Sequence, residues 1–196
     1  MRTISALILL AVTGWLVTAP LSTVAAHKQT EQLPWGQVSD GIQLSLTAPD
    51  RDGLRLQLAF RNAGDRDVTL DLGSMLANGK VQLPNYIVLD FTDARGKQRL
   101  FKFADKKHSF VAGRLDDYIV PLRAGSVYTL TLSLDQFWCQ ETREFEIPLQ
   151  AGENHLTAHF EGSGAKNVSP DLPAIKLMNF WLGKVESNTL VIARSE

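Results

Sequence analysis

Leu122-Arg123-Ala124-Gly125-Ser126-Val127-Tyr128 is the stretch that decides the fold, because its pattern recurs in Leu149-Gln150-Ala151-Gly152-Glu153-Asn154-His155. Each copy places a glycine before a segment in which apolar and polar residues alternate. Such alternation gives a sheet one buried and one solvated face, and glycine-centred corners pass the chain between the two sheets of a β-sandwich. We therefore expect both glycines to mark sandwich corners.

The two segments that follow these corners differ in phase. After the second corner, Asn154 is in phase with the apolar residues, so His155 and His159 fall on the opposite face. A shift of one residue moves every side chain of a strand to the other face. We therefore predict that both histidines face solvent. The residues predicted to face the core are Tyr128, Leu130, Leu132 and Leu134 in the first segment and Leu156, Ala158 and Phe160 in the second.

Short alternating segments separated by turns fill the rest of the chain. Residues 42–60 and 86–103 each predict a hairpin. Single strands are predicted at 68–72, 117–122, 127–134, 142–148, 155–161 and 185–193. About ten short strands without a long 3.6-residue periodicity predict an all-β protein. We expect an immunoglobulin-like antiparallel β-sandwich of about 8–10 strands, with almost no helix after the N-terminal segment.

The N-terminal segment has the three parts of a secretory signal peptide. Arg2 precedes a long apolar stretch, which ends in the small residues Val24-Ala25-Ala26. We predict cleavage after Ala26 and a periplasmic or secreted protein with no membrane insertion after cleavage. An uncleaved anchor helix is the alternative, but it needs about 20 unbroken apolar residues. The predicted organisation is a signal peptide at 1–26, a disordered tail at 27–34 and a β-sandwich domain at 35–196.

Charge and cysteine content exclude several classes of function. The chain has 20 basic and 21 acidic residues. Positive and negative charges are interspersed along it, so no basic cluster is available to bind nucleic acid or an anionic membrane. Cys139 is the single cysteine, which excludes an internal disulfide and a thiolate-rich metal site. Beside Phe137 and Trp138, Cys139 is expected to be a buried apolar residue. An intermolecular disulfide or a reactive thiol is the alternative.

Catalytic sequence motifs give no support for an enzyme. The chain contains no Gly-x-Ser-x-Gly, no His-Glu-x-x-His and no phosphate-binding loop. The Asp50-Arg51-Asp52-Gly53 stretch begins like a calcium loop, but its twelfth position holds Arg61 instead of a bidentate glutamate. We therefore predict a non-catalytic protein without a cofactor.

His27 supports an alternative based on copper. Cleavage after Ala26 makes His27 the first residue, and its amine and imidazole nitrogens suit Cu(II), as in histidine braces on β-sandwiches. A brace needs a second imidazole. His155 and His159 lie about 13 Å apart on one strand face, so only one could serve, with His108 as the other candidate. Two alternatives follow for His27: it ligates copper in a copper-binding protein or copper-dependent oxidase, or it lies in a disordered N-terminal tail.

Two further segments carry functional alternatives. Residues 171–182 are rich in apolar side chains, and the segment is expected to form either a short helical turn or an apolar loop. It either closes the core at one end of the sandwich or binds a partner protein through Phe180 and Trp181. The polar segment 104–114 is expected to be a solvated loop, and it is also the best candidate for the protruding loop of a protease inhibitor.

Three motifs resemble a family of bacterial exported domains. Trp35-Gly36-Gln37-Val38-Ser39-Asp40-Gly41-Ile42-Gln43-Leu44 resembles its Trp-Gly-x4-Gly-aliphatic-x-Leu start. Asn62-Ala63-Gly64-Asp65 is similar to its Arg-Asn-x-Gly-Asp hairpin. Trp181-Leu182-Gly183-Lys184-Val185-Glu186-Ser187-Asn188 is similar to its Trp-Thr-Gly-x-aliphatic-x-Ser-Asn close, with Leu182 in place of threonine. Alanines at 124 and 151 stand where proline is usual before the corner glycine.

The resemblance covers about residues 35–192 and implies an immunoglobulin-like sandwich. Some of these domains resemble the intracellular proteinase inhibitor domain of bacteria, which implies protease inhibition as an alternative. The main expectation is an exported, non-catalytic binding or structural module whose partner is another envelope or extracellular protein.

Overall fold

The computed structural model describes residues 33–50, 54–76, 79–104, 113–166 and 178–195. The predicted signal peptide, its cleavage site and His27 lie outside the described residues, and so does most of the 104–114 loop, including His108. A single compact unit spans Gln32–Glu196. Within its described part, no helix is long and apolar enough to cross a membrane.

Thirteen strands, all paired antiparallel, account for the regular structure of the described residues. They are β1 (Ile42–Thr47), β2 (Arg55–Asn62), β3 (Val68–Leu76), β4 (Val81–Leu83), β5 (Ile87–Thr92), β6 (Gln98–Phe103), β7 (Asp116–Leu122), β8 (Val127–Ser133), β9 (Phe137–Cys139), β10 (Glu144–Phe145), β11 (Gly152–Glu161), β12 (Lys184–Glu186) and β13 (Leu190–Arg194). One 3₁₀ turn at Leu134–Gln136 is the helical structure of this part of the chain. The predicted all-β fold is confirmed.

The strands form three sheets. The first has the order β1-β2-β8, and the second has the order β4-β3-β7. The third runs β10-β9-β6-β5-β11, and both β12 and β13 pair with the outer side of β11. Phe60 of the first sheet meets Phe160 of the third edge to face, with ring centroids 5.2 Å apart. The buried apolar residues of all three sheets form one cluster, so the chain is a β-sandwich.

A two-stranded ribbon links the first sheet to the second. β2 pairs with β8, and beyond the connecting residues β3 pairs with β7, with Val68 opposite Leu122. The connections β2–β3 and β7–β8 therefore change sheet at the same place. The Asn62 side chain joins the two connections: its Nδ2 donates to the carbonyls of Arg66 (2.8 Å) and Leu122 (3.0 Å), and its Oδ1 accepts from Gly64 N (3.0 Å).

The prediction of a corner between sheets is correct at Gly125 and wrong at Gly152. Gly125 lies between β7 and β8 with φ at +74°, so the predicted corner between sheets is confirmed there. Gly152 also has a positive φ, +104°, but β10 and β11 belong to the same sheet, so the second corner prediction is wrong. Gly152 is the first residue of β11, and the Asn154 side chain holds Gln150 beside it through Oδ1 and Nδ2. The chain therefore stays in one layer.

Most strand predictions are confirmed, but two predicted strands differ from the structure and two short strands were not predicted. Both hairpins form, as β1–β2 and β5–β6. The predicted strand 142–148 is reduced to β10, and the short strands β4 and β9 were not predicted. The predicted strand 185–193 is split, because Ser187 N donates to Ala158 O and Ser187 Oγ accepts from Ala158 N, which displaces the chain before β13 begins. These extra short pieces raise the strand number above 8–10.

The predicted strand faces are confirmed at β11. Asn154, Leu156 and Ala158 are fully buried, whereas His155 and His159 are half-buried on the opposite face. Cys139 is fully buried, as expected for an apolar residue. The immunoglobulin-like assignment within the β-sandwich class stays a prediction.

Trp181 closes one end of the core. Its side chain is 5% exposed, its ring stacks on Phe160 at 5.7 Å, and its Nε1 donates to Asp40 O at 3.0 Å. The backbone of residues 179–181 binds both backbone groups of Thr69 near the start of β3: Thr69 N donates to Asn179 O, and Trp181 N donates to Thr69 O. In its described part, 178–182, the apolar segment is a loop that closes the core, and residues 171–177 lie outside the described residues.

Candidate functional site

The outer edge of β1 is sealed. The register with β2 turns the backbone of Ile42, Leu44 and Leu46 away from the first sheet. Ile42 exchanges two hydrogen bonds of 2.8 Å with Ser39, and Leu44 O accepts from Gly36 N at 2.8 Å. The amide of Asn188 completes the seal, because its Oδ1 accepts from Leu46 N at 2.8 Å and its Nδ2 donates to Leu46 O at 3.0 Å.

The opening and closing motifs of the domain meet at this edge. Gly36 and Ser39 come from the opening motif, and Asn188 lies 142 residues from Leu46 along the chain and belongs to the closing motif. A Cβ at position 36 would collide with Glu186 O, so the close approach of the two motifs requires glycine. The residues that carry the family resemblance therefore have a structural role: they seal a strand edge that could otherwise pair with another chain.

Replacing Gly36 with alanine is expected to lower the free energy of unfolding by about 1–2 kcal/mol, since the added methyl group meets backbone that cannot move without breaking the seal. Chemical denaturation of the purified protein measures the change. Gly164→Ala is the matched control, because nothing lies within 4 Å of a Cβ at that position. Equal stability of the two variants would contradict the role assigned to the close approach.

The outer edge of β8 has no strand beside it in the described part of the chain. Asn62 N donates to Ser126 O and Leu134 N donates to Leu54 O at the two ends of the β2–β8 ladder. Because ladder bonds alternate along an antiparallel strand, the even-numbered residues of β8 face β2. The N–H and C=O groups of Val127, Thr129 and Thr131 therefore point away from the sheet. We call these three residues the β8 edge.

The other terminal strands of the three sheets, apart from the sealed β1, are either shorter than β8 or contain a proline. β4, β10 and β12 have three, two and three residues, respectively, against seven in β8. β7 contains Pro121, which has no N–H to donate and is typical of protected edges. β13 has five residues and ends at Arg194. Ser133, at the end of β8, donates its outward N–H to Gln136 Oε1 at 2.9 Å. Among the described strands, the stretch of β8 from Val127 to Leu132 is thus the longest edge without a charge, a proline or a capping contact.

From Thr129 to Leu132 the side chains of β8 alternate between exposed and buried. Thr129 and Thr131 are exposed, while Leu130 and Leu132 are 9% and 5% exposed and belong to the core. Tyr128 joins β8 to the second sheet: its hydroxyl lies 2.6 Å from that of Tyr118, which in turn donates to Gln82 Oε1 at 2.9 Å. Since Tyr118 has one hydroxyl hydrogen, Tyr128 is the donor to Tyr118. Burial, and then the contact with Tyr128, raises the pKa of Tyr118, so the phenol stays neutral.

A buried polar cluster lies where β3 bulges. The register of β3 with β7 shifts between Asp71 and Ser74, and Gly73 has φ at +142°. Asp71 is fully buried; its Oδ1 accepts from Gly73 N at 3.2 Å and its Oδ2 accepts from Ser163 Oγ at 3.4 Å. Burial raises the pKa of Asp71 to about 6, the Gly73 hydrogen bond lowers it, and the nearby Asp117 carboxylate raises it.

Ser163 and Lys166 have a Ser-x-x-Lys spacing; the prediction of a non-catalytic protein treated this motif as absent from the chain, which is wrong. They line a groove of about 330 Å³ beside Asp71. The two side chains have different partners, however. The Ser163 hydroxyl donates to Asp71, and Lys166 Nζ lies 4.3 Å from the ring centroid of Tyr86. A lysine base directed at a serine nucleophile is therefore not the arrangement here.

The other predicted site residues are dispersed. His155 and His159 lie on the solvated face of the third sheet, and His159 Nδ1 is 3.3 Å from Glu186 Oε1. Among the described residues no three histidine, cysteine or acidic side chains are grouped as metal ligands. Phe180 is half-buried and Trp181 is enclosed by the fold, so the ring of Trp181 is not on the surface where a partner would meet it.

Comparison with protein-family models and with curated proteins gives no match for this chain. The resemblance to bacterial exported domains therefore stays a prediction that rests on the three motifs. The β8 edge was not foreseen from the sequence. Its alternation of threonine and leucine was visible, but that pattern marks any half-buried strand and does not distinguish an edge strand from a central one.

Proposed function

We propose that the protein is an exported, non-catalytic binding module that takes up an extended segment of a partner chain along the β8 edge. The observation that carries the proposal is the contrast between two edges of one sheet: β1 is sealed by three separate contacts, and β8 has no strand beside it among the described residues. Strand addition to a sheet edge is a common way to recognise peptides, with affinity from main-chain hydrogen bonds.

The chemistry of the edge specifies the kind of segment. A segment paired with β8 places alternate side chains beside Leu130 and Leu132 at the margin of the core and the others beside exposed Thr129 and Thr131. The preferred ligand is therefore a strand that alternates apolar with small polar residues. Export is supported by the signal-like pattern of residues 1–26, and mass spectrometry of the exported protein, with His27 expected first, tests it.

A library of displayed peptides that alternate apolar and polar residues tests this proposal. Peptides selected on the processed protein are expected to lose at least tenfold in affinity for Thr131→Pro, because proline removes an outward N–H without touching the β2 ladder. Thr131→Val is the matched control, since it keeps the N–H and replaces the hydroxyl with a methyl group of similar size. Hydrogen exchange of the bound protein should show new protection at Val127, Thr129 and Thr131.

Equal affinity of a selected peptide for wild type and Thr131→Pro, or protection confined to other strands, would remove the proposal. The alternatives of protease inhibition and copper binding depend on the 104–114 loop and on His27, respectively. No observation on the described residues favours either of them.

A further inference from the structure

We infer that the segment taken up by the β8 edge is β8 of a second copy of this chain, joined in a two-fold symmetric antiparallel pair centred on Thr129. This inference rests on the proposed function, because it names the partner of the same edge. The first sheet would continue across the symmetry axis as one sheet of six strands, in the order β1-β2-β8-β8-β2-β1.

The register follows from the outward-facing residues. In an antiparallel pair, residues with outward N–H and C=O groups must lie opposite one another. With the axis at Thr129, each Thr129 faces its symmetry mate, and Val127 faces Thr131 of the second copy. All three residues of the β8 edge then exchange both backbone hydrogen bonds, about six across the interface. On the core side, Tyr128 lies opposite Leu130 of the second copy.

The side chains of β8 allow this self-pairing. The strand contains no charged residue, so an identical strand brings no like charges together. On the exposed face the pairing produces threonine–threonine and valine–threonine neighbours, which are favourable cross-strand pairs. By contrast, β7 begins with Asp116 and Asp117 and contains Pro121, features that oppose pairing with a second copy.

The seal on β1 limits the assembly to two chains. A sheet with two open edges would grow into a fibre, because each added copy would leave a new edge free. Here pairing at β8 leaves only the β1 edges at the ends of the six-stranded sheet, and Ser39, Gly36 and Asn188 occupy them. One open edge and one sealed edge in the same sheet are what a closed dimer requires.

Cysteine crosslinking tests the register directly. In the proposed pair the two Thr129 Cα atoms lie about 5.5 Å apart, within the range that a disulfide spans, so Thr129→Cys is expected to form a covalent dimer under mild oxidation. Thr131→Cys is the matched control, because two copies of position 131 lie about 13 Å apart along the strands and should remain uncrosslinked. Cys139 is fully buried and should not interfere.

Sedimentation of the processed wild-type protein measures the assembly without a crosslink. We expect a concentration-dependent dimer that becomes monomeric in Thr129→Pro, since proline removes the central outward N–H. A monomeric wild type, or equal crosslinking at positions 129 and 131, would overturn the inference. Failure of this inference can be told apart from failure of the proposed function. If the wild type is a monomer and the selected peptides still bind Thr131→Pro more weakly, strand addition is retained and only the second copy is excluded as the partner.

Discussion

Replacing Asn62 with alanine is expected to lower the free energy of unfolding by about 2–4 kcal/mol and the melting temperature by roughly 5–15 °C. Asn62 is 1% exposed, and its side chain makes three hydrogen bonds at the place where both strands of the ribbon change sheet. Alanine removes these bonds and leaves the carbonyl of Leu122 without its buried donor. Thermal and chemical denaturation of the purified variant measure the loss.

Two variants sharpen this prediction. Asn62→Asp keeps the acceptor for Gly64 N but sets a carboxylate oxygen against the carbonyls of Arg66 and Leu122, so it should be at least as destabilising as alanine. Asn179→Ala is the matched control, because its Nδ2 bond to Asp67 O is exposed, and it should cost less than about 1 kcal/mol. Equal losses for Asn62→Ala and Asn179→Ala would contradict the role of Asn62 at the ribbon corner.

Replacing Asp71 with asparagine is expected to stabilise the protein at neutral pH by about 2–3 kcal/mol and to have little effect near pH 3.5. Burial raises the pKa of the Asp71 carboxyl from 3.8 to about 6, so the folded state holds a proton that the unfolded state has released. The contribution of Asp71 to stability is therefore fully present below pH 3.8 and is lost as the pH rises to about 6 and beyond.

Denaturation curves between pH 3.5 and 8 test the effect of Asp71. The difference in stability between Asp71→Asn and wild type should grow up to about pH 6 and then level off. Asparagine can still accept from Gly73 N and can donate to Ser163 Oγ, so it isolates the charge. The control is Asp65→Asn, which removes an exposed carboxylate. A stability difference that does not change with pH would contradict the assignment of a buried, proton-holding Asp71.

The alternation of apolar and polar residues predicted much of the fold. It identified the β1–β2 and β5–β6 hairpins and assigned Asn154 to the core and His155 and His159 to the opposite face. These properties are local, because successive side chains of a strand point to opposite sides whichever strand lies beside it. The Gly125 corner was also predictable, since a positive φ of +74° suits glycine.

The pairing of distant segments was not predictable from local patterns. Gly152 resembles Gly125 in sequence and in the sign of φ, yet the chain remains in the third sheet there because β11 pairs with β5 and β13. The strand predicted at 185–193 is split by the contact of Ser187 with Ala158, 29 residues away. The Asp71 cluster likewise depends on Ser163, which lies 92 residues further along the chain.

By itself, the sequence determined the class of fold, the buried face of most strands and the motifs at the two ends of the domain. Only the tertiary structure decided which strand edges are covered. Gly36 and Asn188 reach β1 from opposite ends of the domain, while β8 has no strand beside it in the described residues. Side-chain alternation shows which face of a strand is buried, but the hydrogen-bonding edges lie at right angles to it, and their occupancy depends on segments far away in the chain.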